Sequence, residues 1–487
     1  MLSKKNNSPV SFTSKPNSPI GFRHSAYRKG PVVLVSRDIA FTFPLSYAYL
    51  AGYLREQGED VRVLFREVAP AQLVKQIMSL NPVLVGFGNL YPELKEIGEL
   101  IKMLDRAGRQ FPVVIGGQMV SPLPEFAVKV CGADYGVVGE GEITLYRLVR
   151  TLREGGNPAD VSGLVIRHGD EVVATGAGEI INDLTQLPRV PYDLFPAEKW
   201  LPIGLWYAKN FPQPHWKIED RVINVHGGRG CPFVCNFCYH HSRPRYRPIP
   251  LMMEEAQEAL ERFDGNMLYF SDDLVLASPK RAQELTEAIH KLPRPIEYSV
   301  SARFDILAKV SDDLLKEMKA TGCRIMGLGI ESGSDRILKI IGKNVTAQTI
   351  LEQLERLYSV GILPTVSIMI GELTETVEDV EASISLMRQS VRMNHQIQYA
   401  FTLTTPFPGS PLYDILFERG YLRDHQQFYD IYFSSQSEWN PVINLTSMTI
   451  DQILYYYRTI NQAYLEEKEL AGKKNHAINQ LNRLKKL

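Results

Sequence analysis

Three of the five cysteines lie within eight residues, in Gly227-Gly-Arg-Gly-Cys231-Pro-Phe-Val-Cys235-Asn-Phe-Cys238-Tyr-His-His241, spaced C-x3-C-x2-C. Turns of that length bring three sulfurs to one metal centre, and the glycines just upstream let the backbone curl closely around it. Three thiolates leave a cubane iron–sulfur cluster one ligand short, so one iron stays open to a substrate or cofactor. Zinc is the competing occupant. It needs four ligands, and His240 or His241 would supply the fourth. Spacing alone does not separate the two. A redox pair fits less well, because it leaves the third thiol idle. Cys131 and Cys323 fall in apolar segments and read as small buried hydrophobes.

Composition narrows the partners. The chain has 487 residues, 44% hydrophobic and 22% charged, with a net charge of −1. That length allows about two to four domains. No basic excess exists to neutralise phosphates, so nucleic-acid binding is not expected. The cysteines are too few and too clustered for a disulfide framework, and no export signal is visible, so a reducing cytoplasm is expected. No apolar run reaches about 18 residues, so no transmembrane segment is expected. Residues 1–29 contain no Asp or Glu and are rich in Ser, Lys and Arg. They read as a disordered tail, a transit peptide being the alternative.

The cysteine loop must be held by something, and the chain around it alternates strand and helix. Apolar strand-like runs at Pro31–Ser36, Asp60–Phe65, Val83–Phe87, Pro112–Gly117 and Tyr135–Gly139 are separated by amphipathic helical segments. This predicts a doubly wound, Rossmann-like parallel sheet over 30–153. Its strands end in Arg37-Asp38, Gly86-Phe-Gly-Asn89, Gly116-Gly117-Gln-Met119 and Gly139-Glu140-Gly141-Glu142. Any one glycine is explained by a tight βα turn. Together they leave room for a large planar ligand at the strand carboxyl ends. Neither G-x-G-x-x-G nor G-x-x-x-x-G-K-[ST] is present, so a dinucleotide or P-loop site is not supported.

Residues 154–215 predict a hairpin, Leu164–Arg167 and Glu171–Ala174 about the turn His168-Gly-Asp170, and then a proline-containing linker. A second βα series fills 216–415, with strands at Arg221–His226, Met267–Ser271, Glu297–Ser301, Cys323–Ile330, Pro364–Ile370 and Ile397–Leu403. Six strands in alternation predict a partial (β/α)6 barrel, with chemistry at the carboxyl ends. The cysteine loop leaves the first of those ends. Residues 416–487 predict a helical, tyrosine-rich region with a basic end at Lys473-Lys474 and Lys485-Lys486.

Placed after a barrel's first strand, Cys231-x3-Cys235-x2-Cys238, with aromatic Phe237 before the last cysteine, resembles the cluster motif of the radical S-adenosylmethionine (radical SAM) superfamily. Gly329-Ile-Glu331-Ser-Gly333 resembles the fourth-strand motif whose glutamate contacts the SAM ribose. Ile370-Gly371-Glu372 with Glu375-Thr376 falls where many members carry a glycine, a proline and a Glu-Thr pair; the proline is absent here. Pro406–Tyr413 resembles the barrel-closing segment. The doubly wound domain just ahead is similar to that of the cobalamin-binding subgroup. The subgroup's D-x-H-x-x-G is missing, since Ser36-Arg-Asp-Ile-Ala-Phe41 has no histidine. The resemblance implies cobalamin held without a histidine on its lower face.

The same resemblance implies site residues. Cys231, Cys235 and Cys238 would bind a [4Fe-4S] cluster. Phe237, Asp272, Arg303 and Glu331 would contact SAM, and Gly116, Gly117, Gly139, Glu140 and Gly141 would contact cobalamin. Asp272, with Asp273, reads equally as a helix cap, and Arg303 as a surface ion pair. An electron donor such as flavodoxin or ferredoxin is implied, as is a small-molecule substrate. The implied activity is methylation of an unactivated carbon of a small-molecule or lipid/tetrapyrrole-like substrate. Two alternatives stand beside it: oxidative cyclisation or ring rearrangement with the same cofactors, and a zinc-stabilised, non-catalytic binding protein.

Overall fold

Val32-Val-Leu-Val-Ser36 is buried along its whole length, which requires a parallel sheet covered on both faces. The computed structural model describes residues 29–37, 43–210, 215–240, 242–434 and 443–484. Asp38 with the rest of the loop to Phe41, most of the expected N-terminal tail, the end of the proline-containing linker, His241 and Lys485-Lys486 lie outside the described residues. The chain divides into two compact units, Met1–Trp200 and Leu201–Leu487.

The first unit runs β1 (Val32–Ser36), α1 (Leu45–Glu56), β2 (Val61–Phe65), α2 (Pro70–Leu80), β3 (Leu84–Gly88), α3 (Leu94–Arg106), β4 (Val113–Gly116), α4 (Pro124–Cys131), β5 (Tyr135–Val137), α5 (Glu142–Glu154), β6 (Leu164–His168), β7 (Glu171–Ala174) and a short α6 (Ala197–Trp200). The sheet order is β2-β1-β3-β4-β5-β6-β7. β1 to β5 are parallel. The order reverses at β1, which opens a crevice at the carboxyl ends of β1 and β3. The expected hairpin is there, but it extends the sheet. β6 pairs antiparallel with β5, and β7 with β6, because Leu164, Val165 and Ile166 are fully buried. His168 closes β6, and Gly169, at φ 62°, makes the turn.

The second unit begins with α7 (Ile203–Asn210) and β8 (Val222–Val225), followed by a ribbon of β9 (Gly228–Arg229) and β10 (Arg245–Tyr246). It continues α8 (Ile249–Phe263), β11 (Met267–Phe270), α9 (Pro279–His290), β12 (Glu297–Ala302), α10 (Phe304–Leu307), α11 (Asp312–Ala320) and β13 (Cys323–Glu331). Then come α12 (Asp335–Ile340), α13 (Ala347–Val360), β14 (Leu363–Ile370), α14 (Val377–Met393), β15 (Gln398–Leu403), α15 (Pro411–Glu418), α16 (His425–Ser434) and α17 (Ile450–Leu484). The six long strands lie side by side in chain order, β8-β11-β12-β13-β14-β15, all parallel. Crossovers that all run in one direction put the crossover helices on one face. β14 shows the outcome: Pro364, Val366, Ile368 and Ile370 are buried under helices, while Thr365, Ser367 and Met369 are half-buried on the inner face. β8 and β15 do not pair, so the barrel is partial.

The amino end of this barrel is filled. Ile203, Val222, Met267 and Ile325 form a core with Tyr207, Trp216 and Tyr269. Tyr207 stacks on Trp216 with ring centroids 4.6 Å apart. Arg324 reaches both Asp220 and Glu297 at the same level. The carboxyl ends of the strands are left as the accessible side. Among the described residues no helix is long and apolar enough to cross a membrane.

Candidate cofactor site at the strand carboxyl ends

The cysteine loop is the tip of the β9–β10 ribbon. Gly230 makes its entry possible. It has φ 77°, and a Cβ there would collide with the carbonyl oxygens of Ser242 and Arg243. Asp272, just past β11, accepts the Gly227 N–H at 2.6 Å and the Gly228 N–H at 3.1 Å on one oxygen, Oδ1. Its other oxygen is buried without a hydrogen-bond partner. Asp273 accepts the Gly230 N–H at 2.9 Å. Neither aspartate caps a helix, since Ser278 caps α9. Arg281 closes the base of the loop, donating to the Gly227 carbonyl at 3.0 Å and lying over the Tyr246 ring. The far side is fastened by backbone: Asn236 N–H donates to the Ile341 carbonyl at 3.2 Å, and Leu412 N–H to the Asn236 carbonyl at 2.8 Å.

Cys231 is half-buried, Cys235 buried and Cys238 exposed, and none is in a disulfide. Although Cys238 reaches solvent, its thiol is desolvated enough to be pushed up to about 11, with Cys235 and Cys231 adding to the shift. Desolvation also raises the Cys231 thiol, against the Phe233 N–H that favours its thiolate. Among the described residues no three His, Cys, Asp or Glu side chains converge tightly enough to hold one ion. A cubane takes each thiolate on a different iron, so its ligands stand further apart than those of a single ion. Arg303, just past β12, is buried rather than on the surface. Its Nη1 donates to Cys235 Sγ at 3.4 Å, and its Nε and Nη2 reach the Asp305 carboxylate at 2.9 and 3.3 Å.

Glu331 ends β13 at a bulge and has φ 66°, a conformation rare outside glycine and concentrated at ligand sites. Its carboxylate folds back over Gly329. There it meets Lys343 Nζ at 3.1 Å on Oε1 and accepts the Ser367 hydroxyl at 2.8 Å on Oε2. Phe237 is half-buried at the tip of the cysteine loop. Next along the rim, Glu372 and Glu375 follow β14, both fully buried. Burial, reinforced by neighbouring carboxylates, pushes them up to about 7 and about 8.

In the first unit the carboxyl edge is bare backbone. Gly88, Gly116 and Gly141 are half-buried, and Gly117 and Gly139 are exposed. Gly117 has φ 79° with the Asn89 carbonyl 3.1 Å from where a Cβ would sit. Gly139 has φ 81° and open space where its Cβ would be. Ser121 fixes that turn by accepting the Gly139 N–H at 2.9 Å. Glu140 lies between the two glycines, half-buried. The Tyr47 hydroxyl bridges the two strands that flank the crevice, 2.8 Å from both the Val35 carbonyl and the Gly88 N–H. Burial pushes that phenol up to about 12.

Residues 225–387 match the family model of the radical SAM superfamily, and residues 33–149 match that of the B12 binding domain. The chain carries a B12-binding domain followed by a radical SAM domain. It is 27% identical over 431 residues to an uncharacterized methyltransferase of Pyrococcus horikoshii, covering 87% of each chain. It is 24% identical over 466 residues to the anaerobic magnesium-protoporphyrin IX monomethyl ester cyclase of Rubrivivax gelatinosus, covering 91% of this chain and 78% of the cyclase. Its fold is similar to that of the radical S-adenosylmethionine methyltransferase TsrM from Kitasatospora setae, solved with cobalamin and a [4Fe-4S] cluster. That match has a TM-score of 0.64 at 20% identity over 80% of this chain and 78% of TsrM.

A radical SAM enzyme with a B12-binding domain uses a [4Fe-4S] cluster, SAM and cobalamin, needs a reductant and acts on a small substrate. The residues present fit these groups. Three thiols on a glycine-hinged loop suit a cluster, and a glycine-lined strand edge suits a planar macrocycle. The missing histidine after β1 does not take the domain out of the B12-binding family. The zinc reading falls with the family match. Several residues of the site carry no sequence signal. Tyr47 and Lys343 stand in no motif, and Ser367 reads only as one position of an alternating strand. The Arg303-x-Asp305 spacing is the one visible trace of the Arg303 fork.

Proposed function

We propose that the chain is a cobalamin-dependent radical SAM C-methyltransferase that methylates an unactivated carbon of a small-molecule or lipid/tetrapyrrole-like substrate. The observation that carries this is a three-cysteine loop at the carboxyl end of a barrel, in a chain that also has a B12-binding domain. The similarity to a methyltransferase over 87% of both chains supports it. When bound, these groups supply reductive cleavage of SAM to a 5′-deoxyadenosyl radical, and a cobalt-borne methyl group.

The chain's own residues do the rest. Cys231, Cys235 and Cys238 hold the cluster and leave one position open. Glu331, locked by Lys343 and Ser367, presents a fixed carboxylate for the SAM ribose. Asp272 keeps its unpartnered oxygen for the SAM amino group while its other oxygen holds the loop. Phe237 would contact SAM. Gly116, Gly117, Gly139, Glu140 and Gly141 let the corrin approach the backbone of β4 and β5. The filled amino end of the barrel keeps water from entering on that side. The five free thiols are what a reducing compartment, the cytoplasm, preserves. An electron donor such as flavodoxin or ferredoxin suits the reductant role.

The test is anaerobic reconstitution of the full chain with iron, sulfide and cobalamin, followed by SAM labelled in its methyl group and candidate substrates. The label is expected in a C-methylated product. Deoxyadenosine formed with no label in any product would sink the methyltransferase reading. It would favour the cyclase-like alternative, to which the similarity over 91% of this chain already lends weight.

A further inference from the structure

Arg303 does more than neutralise a neighbour. Its guanidinium is pinned in three directions. Asp305 takes Nε at 2.9 Å and Nη2 at 3.3 Å, and the guanidinium carbon lies 3.7 Å from the centroid of the Phe233 ring. Phe233 itself sits between Cys231 and Cys235 in the loop. With the fork fixed in this way, one Nη1 hydrogen is directed at Cys235 Sγ, 3.4 Å away. Arg303 and Cys235 are both 7% exposed, so water does little to screen this pair. The three thiols are therefore unequal. Cys231 has the Phe233 backbone N–H beside it. Cys238 lies 3.9 Å from the Tyr239 carbonyl, an acceptor. Cys235 alone is hydrogen-bonded by a cationic side chain, among the described residues.

We propose that Arg303 is a positioning residue that tunes the reduction potential of the cluster, acting through Cys235 Sγ. This rests on the reading of Cys231, Cys235 and Cys238 as cluster ligands. A reduced cluster carries one more negative charge, spread over its sulfurs. A cationic donor on one of those sulfurs stabilises the reduced form more than the oxidised form, which raises the potential. Arg303 thus makes the cluster easier for a donor to reduce and a milder reductant toward SAM. Asp305 sets the geometry and keeps the guanidinium from turning to another acceptor.

The experiment uses the full chain, anaerobically reconstituted, as wild type, Arg303→Gln and Arg303→Lys. Three quantities are measured: iron per chain, the midpoint potential by a redox titration followed by electron paramagnetic resonance, and SAM affinity by equilibrium binding. Expected are normal iron content in both variants, a midpoint displaced to more negative potential in Arg303→Gln, and a smaller displacement the same way in Arg303→Lys. SAM affinity should stay within about twofold, since the donor acts on sulfur and not on SAM. An unchanged midpoint with SAM binding weakened tenfold or more would place Arg303 on the SAM carboxylate and overturn the proposal. An unchanged midpoint with unchanged SAM binding would make it a packing residue and overturn the proposal equally. If Arg303→Gln takes up no iron, the midpoint of Arg303→Lys decides; if neither variant does, Arg303 is a folding residue and the proposal fails. A wild type that forms no cluster would instead defeat the reading of the three cysteines.

Discussion

The Glu331 carboxylate occupies the space that a side chain at Gly329 would need. A Cβ at 329 would collide with Glu331 Oε1 and come within 2.8 Å of Lys343 Nζ. Gly329 is therefore required by the fold-back of Glu331 rather than by its own backbone. Gly329→Ala is expected to displace the carboxylate and weaken SAM binding, as Glu331→Gln should by removing its charge. Hydrogen bonds to charged groups contribute about 1.5–3 kcal/mol, so the loss should be roughly ten- to a hundredfold. Equilibrium SAM binding checks this, with iron content as the control that the cysteine loop is intact. Unaltered affinity in both variants would remove Glu331 from the SAM site.

Gly230 carries a different constraint. Its φ of 77° and the crowding of the Ser242 and Arg243 carbonyls leave no space for a methyl group. Gly230→Ala should open the β9–β10 ribbon and abolish iron uptake nearly as fully as Cys235→Ala does. Gly420, also at positive φ (71°) but with open space where a Cβ would be, is the control. Gly420→Ala should cost only about 1 kcal/mol and leave iron content unchanged. Iron per chain after reconstitution distinguishes the two.

The B12-binding edge makes a separable prediction. Gly139 has open space around its missing Cβ, so Gly139→Val strains the backbone by about 1–2 kcal/mol while its Cβ meets no neighbour. The added bulk projects from the edge where a corrin would approach. Cobalamin that co-elutes with the wild type, measured by its visible absorption, should be lost from the variant while iron content is retained. Retention of both would move the cobalamin site away from β5.

Much of this architecture is legible in the sequence, for a physical reason. Buried parallel strands need long apolar runs, and both sheets show them. The cysteine spacing and the glycine-rich strand ends are equally visible, because ligand geometry and close backbone approach restrict residue type. Contacts between segments distant in sequence are not visible. Asp272 reads as a ligand or a helix cap, and it mainly holds two amides of a loop 44 and 45 positions away. Arg303 reads as a SAM contact or a surface pair, and it is buried against a sulfur 68 positions away. The hairpin at 164–174 is visible as a hairpin, but its place in the first sheet is not, because its pairing partner, β5, lies before a whole helix.

The buried pair Glu372 and Glu375 sets a pH dependence of stability. Glu372 accepts the Thr404 hydroxyl at 2.8 Å on Oε1 and has no partner on Oε2. Glu375 accepts the Gly371 N–H at 2.7 Å on Oε2 and has no partner on Oε1. Burial favours their neutral forms and pushes them up from 4.5 to about 7 and about 8. Between about pH 4.5 and pH 8 the folded chain therefore binds more protons than the unfolded chain, so stability falls as pH rises through that window. Glu372→Gln replaces the neutral acid with a neutral isostere and keeps the Thr404 bond. It should match the wild type near pH 5, where both are uncharged at this position. Near pH 8.5 it should be more stable by roughly 2–4 kcal/mol, several degrees in melting temperature. Thermal melts at the two pH values check this. A variant less stable than wild type near pH 8.5 would mean that Glu372 is ionised in the folded chain and held by a partner of opposite charge.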